Sequence, residues 1–159
     1  MTQSEIAVKL IFDRWDASLK SFDSLLGSVD DSQLQQEIAP GRNRGIYLLG
    51  HLIAVHDDML ILLDMGDRLY PELHETFIKS PDKTVAELPS PPELRDFWAK
   101  QSEVLKQKFE AVSTDGWFEK HTAVSAEDFT KEPNRNKLNI IVTRTSHLQY
   151  HIGQFRLLK

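Results

Sequence analysis

Apolar residues recur along this chain at helical spacing. Val8, Phe12, Trp15, Leu19, Phe22 and Leu26 follow one another at intervals of 4, 3, 4, 3 and 4 residues, with Lys9, Asp13, Asp16 and Lys20 off the stripe. That pattern predicts an amphipathic helix over 4–26, stopped by Gly27. A short helical turn is expected over 30–36. Pro40, Gly41 and Gly45 then mark a loop before a second helix, from about Ile46 to Met65. This one is apolar on nearly every side, so it is expected to be the most buried element. Its polar exceptions are His51, His56, Asp57 and Asp58. A third helix is predicted from about Pro92 to Val112, with proline at a favourable first position and Leu94, Trp98, Leu105, Phe109 and Val112 as its core face. A fourth runs from about Asn136 to Leu158, with Leu138, Ile141, Leu148, Ile152 and Phe155 available for packing.

Four helices of about 20 residues each predict an all-α fold, a four-helix bundle. Long connections join helices two to three (66–92) and three to four (113–135). Antiparallel neighbours need only short loops, so the first connection is expected to cross the bundle end or cover a site. There is no convincing strand pattern, internal repeat or low-complexity segment. At 159 residues the chain reads as a single domain, 1–159, large enough to bury a core without staples.

Composition narrows the function. The net charge is −5 with no long basic run, which argues against nucleic acid and against an anionic membrane surface. No apolar run approaches the roughly 20 residues that span a bilayer. The first residues lack the charged and apolar regions of a signal peptide. With no cysteine, disulfides, thiolate ligands and a cysteine nucleophile are excluded. The expected location is cytoplasmic.

The chemistry-bearing feature is His147 and His151 in SHLQYHIGQF. Residues four apart on a helix lie one above the other, so two imidazoles there can converge on one metal ion. His51 is the best third ligand, because an unpaired imidazole in the most buried helix is costly and bundles build metal sites from facing helices. Gly50 beside it lets a neighbouring helix approach closely. With six histidines, a four-residue spacing arises by chance in about one such chain in five, so the residues alone leave core histidines satisfied by hydrogen bonds as an equal reading.

His56 lies about 140° round the helix from His51 and cannot share its face. Asp58 is back on that face two turns on, as a general base or, more simply, a capping or surface carboxylate. Gln154 stands on the ligand stripe, where it can hydrogen-bond a ligand or face the site. Tyr47 and Tyr150 are cavity-lining or core tyrosines. His74 and His121 fall in connections and are expected to face solvent. The position after His147 is Leu148, where zinc peptidases carry a glutamate, and the Glu-x-x-His pairs of di-iron bundles, a glycine-rich phosphate loop and a G-x-S-x-G elbow are all missing.

Gly50-His51-Leu52 in helix two, and His147 to Leu158 with His151, Gly153, Gln154 and Arg156, resemble the DinB-like (YfiT-like) family of proposed metalloenzymes, across the whole chain in helix order and spacing. The resemblance implies His51, His147 and His151 as ligands of a divalent metal ion, nickel or zinc foremost, with water completing the shell. It implies a metal-dependent enzyme acting on a small-molecule substrate, either a transferase or isomerase using a low-molecular-weight thiol, or a hydrolase. It also implies pairing as a homodimer. Asp58, Tyr150 and Gln154 are the candidate catalytic residues, and none is compelling. A non-catalytic metal-binding or interaction module is the alternative.

Overall fold

A computed structural model describes residues 1–158. It is all-helical. The long helices are α1 (Gln3–Gly27), α3 (Gly45–Leu62), α4 (Pro91–Glu110) and α6 (Lys137–Phe155); α2 (Asp31–Leu34) and α5 (Ala126–Lys131) are short. A π-helical turn, Glu75–Lys79, and a 3-10 turn, Asp115–Phe118, lie in the two long connections. Among the described residues the only β pairing is two isolated bridges, Glu37 with Arg44 and Lys120 with Asn136.

Caps set most of the helix starts. Thr2 with Glu5 and Ser90 with Glu93 form reciprocal capping boxes at α1 and α4, and the Asn136 side chain accepts from the Asn139 N–H at α6. Prolines follow Ser90 directly, where their missing N–H costs nothing. The α1 stripe buries Trp15, Phe22 and Leu26 fully and Val8, Phe12 and Leu19 in part, and α1 packs on α6. α3 packs on α4, on α6 and on the π turn. It is long and apolar enough to cross a membrane, but 78% of it is buried within the protein, which makes its apolar surface core.

The first connection is pinned to α3 along much of its length. Asp57, buried in α3, accepts the backbone N–H groups of Leu69 (3.0 Å) and Tyr70 (2.7 Å) and the side-chain amide of Gln101 (2.9 Å). The Tyr47 hydroxyl donates to the Ser80 carbonyl at 2.7 Å, and Arg44 is paired with Asp82 at 2.8 Å. At Gly50 a Cβ would fall 2.3–2.6 Å from the Phe77 ring. The close neighbour that Gly50 admits is therefore Phe77 of the connection rather than another long helix.

The second connection corrects one expectation. His121 is buried at 9% exposure. Its neighbour Thr122 is fastened to the end of α3, with its N–H on Leu62 O and its hydroxyl on Ile61 O, each at 3.0 Å, and this draws His121 inward. His74 is partly buried, with Nε2 at 3.6 Å from an Asp58 oxygen.

Candidate metal centre

His51, on the first half of α3, and His147 and His151, on successive turns of α6, come together as a cluster whose ligand atoms all lie within 4.8 Å of one another. His147 Nε2 stands 3.2 Å from His51 Nε2 and 3.0 Å from His151 Nε2. The other ring nitrogens decide the tautomers. His51 Nδ1 is 2.8 Å from the Phe77 carbonyl oxygen, which can only accept, so Nδ1 carries the proton and Nε2 is left with its lone pair. His151 Nδ1 likewise donates to Gln154 Oε1 at 2.7 Å, and the Gln154 amide is oriented by donating its own N–H to the Tyr150 hydroxyl.

Two lone pairs therefore point at His147 Nε2, which can offer a proton to only one of them. His147 Nδ1 is itself buried without a hydrogen-bond partner. With the His147 proton on Nδ1, a cation among the three Nε2 atoms answers all three lone pairs, and three imidazoles suit a borderline divalent ion, so the residues present fit a metal. Protonation is also opposed. Burial, reinforced by the neighbouring imidazoles, pushes His147 down to about 4. Burial pushes His151 down to about 4 against the opposing hydrogen bond from Gln154, and it lowers His51. Neutral imidazole is the metal-binding form.

The remaining candidates are not part of the three-histidine cluster. His56 is fully buried between the rings of Trp15 and Trp98, with centroids 5.0 and 5.2 Å away, and its Nε2 has no partner. Burial pushes it down to about 3. Asp58 is held by Arg68 at 2.6 Å and approached by His74. Tyr150 is 65% exposed, with its ring edge-on to His151. Tyr47 lies nearly parallel to His51 at 6.4 Å. A groove of about 760 Å³ between α1 and α4, floored by Trp15, Trp98, Phe109 and Trp117, is lined by none of the three histidines.

One contact and one charge that bear on the cluster carry no motif. The Phe77 carbonyl is a backbone group in a connection, invisible to a search by side-chain type. Arg144 precedes His147 by three residues and His151 by seven, so spacing alone could have placed it on the ligand stripe.

A helical protein with three histidines converging from two helices has a side-chain group that could hold a metal ion. The family model of the DinB superfamily matches residues 14–155, and the chain belongs to that superfamily. A crystal structure described as the conserved protein of locus from Enterococcus faecalis is similar over 99% of this chain and 98% of that one, with a TM-score of 0.62 at 18% identity. At that identity the likeness bears on the fold. No curated protein matches the chain.

Proposed function

We propose that this protein is a cytoplasmic metal-dependent enzyme, its four long helices arranged as a bundle around a three-histidine centre with positions open to a small-molecule substrate. The observation that carries the reading is the convergence of three Nε2 atoms, two of them stripped of their protons by partners on Nδ1. A divalent cation held there by three neutral imidazoles, nickel or zinc foremost, supplies Lewis acidity and lowers the pKa of a water or thiol at an open position.

The chain's own part is orientation and exclusion of protons. Phe77 and Gln154 fix the planes and tautomers of His51 and His151, as the outer partners of ligating histidines do. Burial keeps all three rings neutral. The reaction is then transfer or isomerisation with a low-molecular-weight thiol, or hydrolysis.

A second reading, a non-catalytic metal-binding module, is favoured by one observation: Asp58, the carboxylate on the His51 face, is already engaged by Arg68 and His74. Elemental analysis of protein purified without a histidine tag, for wild type and His147→Ala, tests the centre. Bound metal in the wild type and its loss in the variant are expected. Wild type that stays metal-free after addition of nickel and zinc ends the metal reading. Loaded protein that turns over neither a thiol-transfer nor an ester or amide substrate selects the binding module.

A further inference from the structure

We propose that Arg144 binds the carboxylate of a substrate at the three-histidine centre. The inference rests on the metal-site reading above and adds the chemical class of the ligand. Arg144 lies on the α6 stripe that carries His147 and His151, one turn toward the N-terminus. Its positive charge bears on His51 and His147. Its Nε–H is buried and has no hydrogen-bond partner. No ion pair joins it to any of the described residues. Native proteins rarely leave a buried guanidinium donor unanswered. Burial also weakens its hold on its proton, against the pull of Asp58. Asp58 does not pair with it, since that carboxylate is held by Arg68 at 2.6 Å.

The charge balance points the same way. Three neutral imidazoles contribute no negative charge, so a dication among them keeps its full charge beside a guanidinium. An anion answers both. The planar fork of arginine matches a carboxylate through two parallel hydrogen bonds. Phosphate sites gather further donors, typically the free N–H groups at a helix N-terminus. Arg144 stands in the interior of α6, which begins at Lys137, where the backbone N–H groups are already used within the helix. One guanidinium on a helix interior suits a singly charged planar anion.

The test is an NMR titration of isotopically labelled full-length protein with acetate, zinc-loaded and metal-free, at constant ionic strength. The Arg144 Nε–H signal is assigned by its absence from Arg144→Lys. It is expected to shift saturably with acetate. Line broadening of labelled acetate should report binding weakened by about tenfold or more in Arg144→Lys and Arg144→Gln, because the fork and not the charge alone is required. An Nε–H signal indifferent to acetate in both forms overturns the proposal, as do variants that bind acetate as well as wild type. A signal that responds to sulfate and not to acetate overturns the carboxylate assignment. Zinc content is measured on the same samples. Protein that takes up no zinc counts against the metal centre, while the metal-free titration still decides the role of Arg144.

Discussion

His51 and Phe77 are joined by a hydrogen bond of 2.8 Å, from the imidazole Nδ1 to a backbone carbonyl 26 residues further along the chain. The plane of the His51 ring on α3 is thus set by the first connection. Phe77 is fully buried, and its ring rests against Gly50. Phe77→Ala should cost about 3–5 kcal/mol of stability. In protein that remains folded, metal affinity should fall about 10–100-fold, because the carbonyl moves with the ring. Denaturant unfolding and a competitive chelator titration measure the two effects separately. A variant of reduced stability but unchanged affinity would show that the carbonyl does not orient the ligand.

Gly50→Ala approaches the same contact from the other side. The new methyl group meets the Phe77 ring well inside van der Waals distance, and the ring is boxed in by Tyr47 at 5.7 Å. A destabilisation of about 1–3 kcal/mol is expected from overpacking. Reduced metal uptake should accompany it, read by elemental analysis at matched protein concentration.

Gln154 acts on His151 without a core role. Its side chain is partly exposed, and its oxygen accepts a hydrogen bond from the His151 Nδ1–H at 2.7 Å. Gln154→Leu should leave the free energy of unfolding within about 0.5 kcal/mol of wild type. Metal affinity should drop about 10–100-fold. Gln154→Glu, which still accepts the proton, should retain binding. Equal losses in both variants would contradict an orienting role.

His56 gives the metal-free protein a pH signature. Its imidazole is neutral when folded, at about 3, against an ordinary value near 6.5. The unfolded chain therefore binds a proton that the folded chain refuses. Stability from this site is complete above about pH 6.5 and declines as the pH falls toward 3. The aromatic faces of Trp15 and Trp98 provide no acceptor, the Arg144 charge opposes protonation, and the three clustered histidines oppose it too once they are charged. Between pH 6.5 and 5 the loss from His56 alone should be about 1.6 kcal/mol. The clustered histidines, also lowered, add loss of the same sign. Urea unfolding of chelator-treated wild type and His56→Leu across this range checks it. The variant should show the shallower slope.

The helical stripes were readable because burial imposes the helical period on side-chain choice, and α1 falls within a residue of its predicted bounds. The prediction carried α3 past its observed end at Leu62, because Leu63 and Met65 continue the apolar run while the chain turns, with Asp64 at φ 58°. The pairing of His147 with His151 follows from helix geometry, and His51 from the cost of an imidazole in an apolar helix. The hidden parts rest on long-range placement. Nothing in the residues around His121 announces that Thr122 will clip them to the end of α3. The two tryptophans that enclose His56 are 83 positions apart in the chain, Trp15 on α1 and Trp98 on α4.

The pinning of the first connection limits how the chain can vary in length. Surface loops ordinarily tolerate inserted or deleted residues. Here Leu69 and Tyr70 are bound to Asp57, Phe77 to His51, Ser80 to Tyr47 and Asp82 to Arg44. A residue gained or lost between those points would put the Phe77 carbonyl out of step with His51. The stretch 84–89, beyond the last of them and before the Ser90 cap, is where the connection can lengthen or shorten while the histidine geometry stays intact.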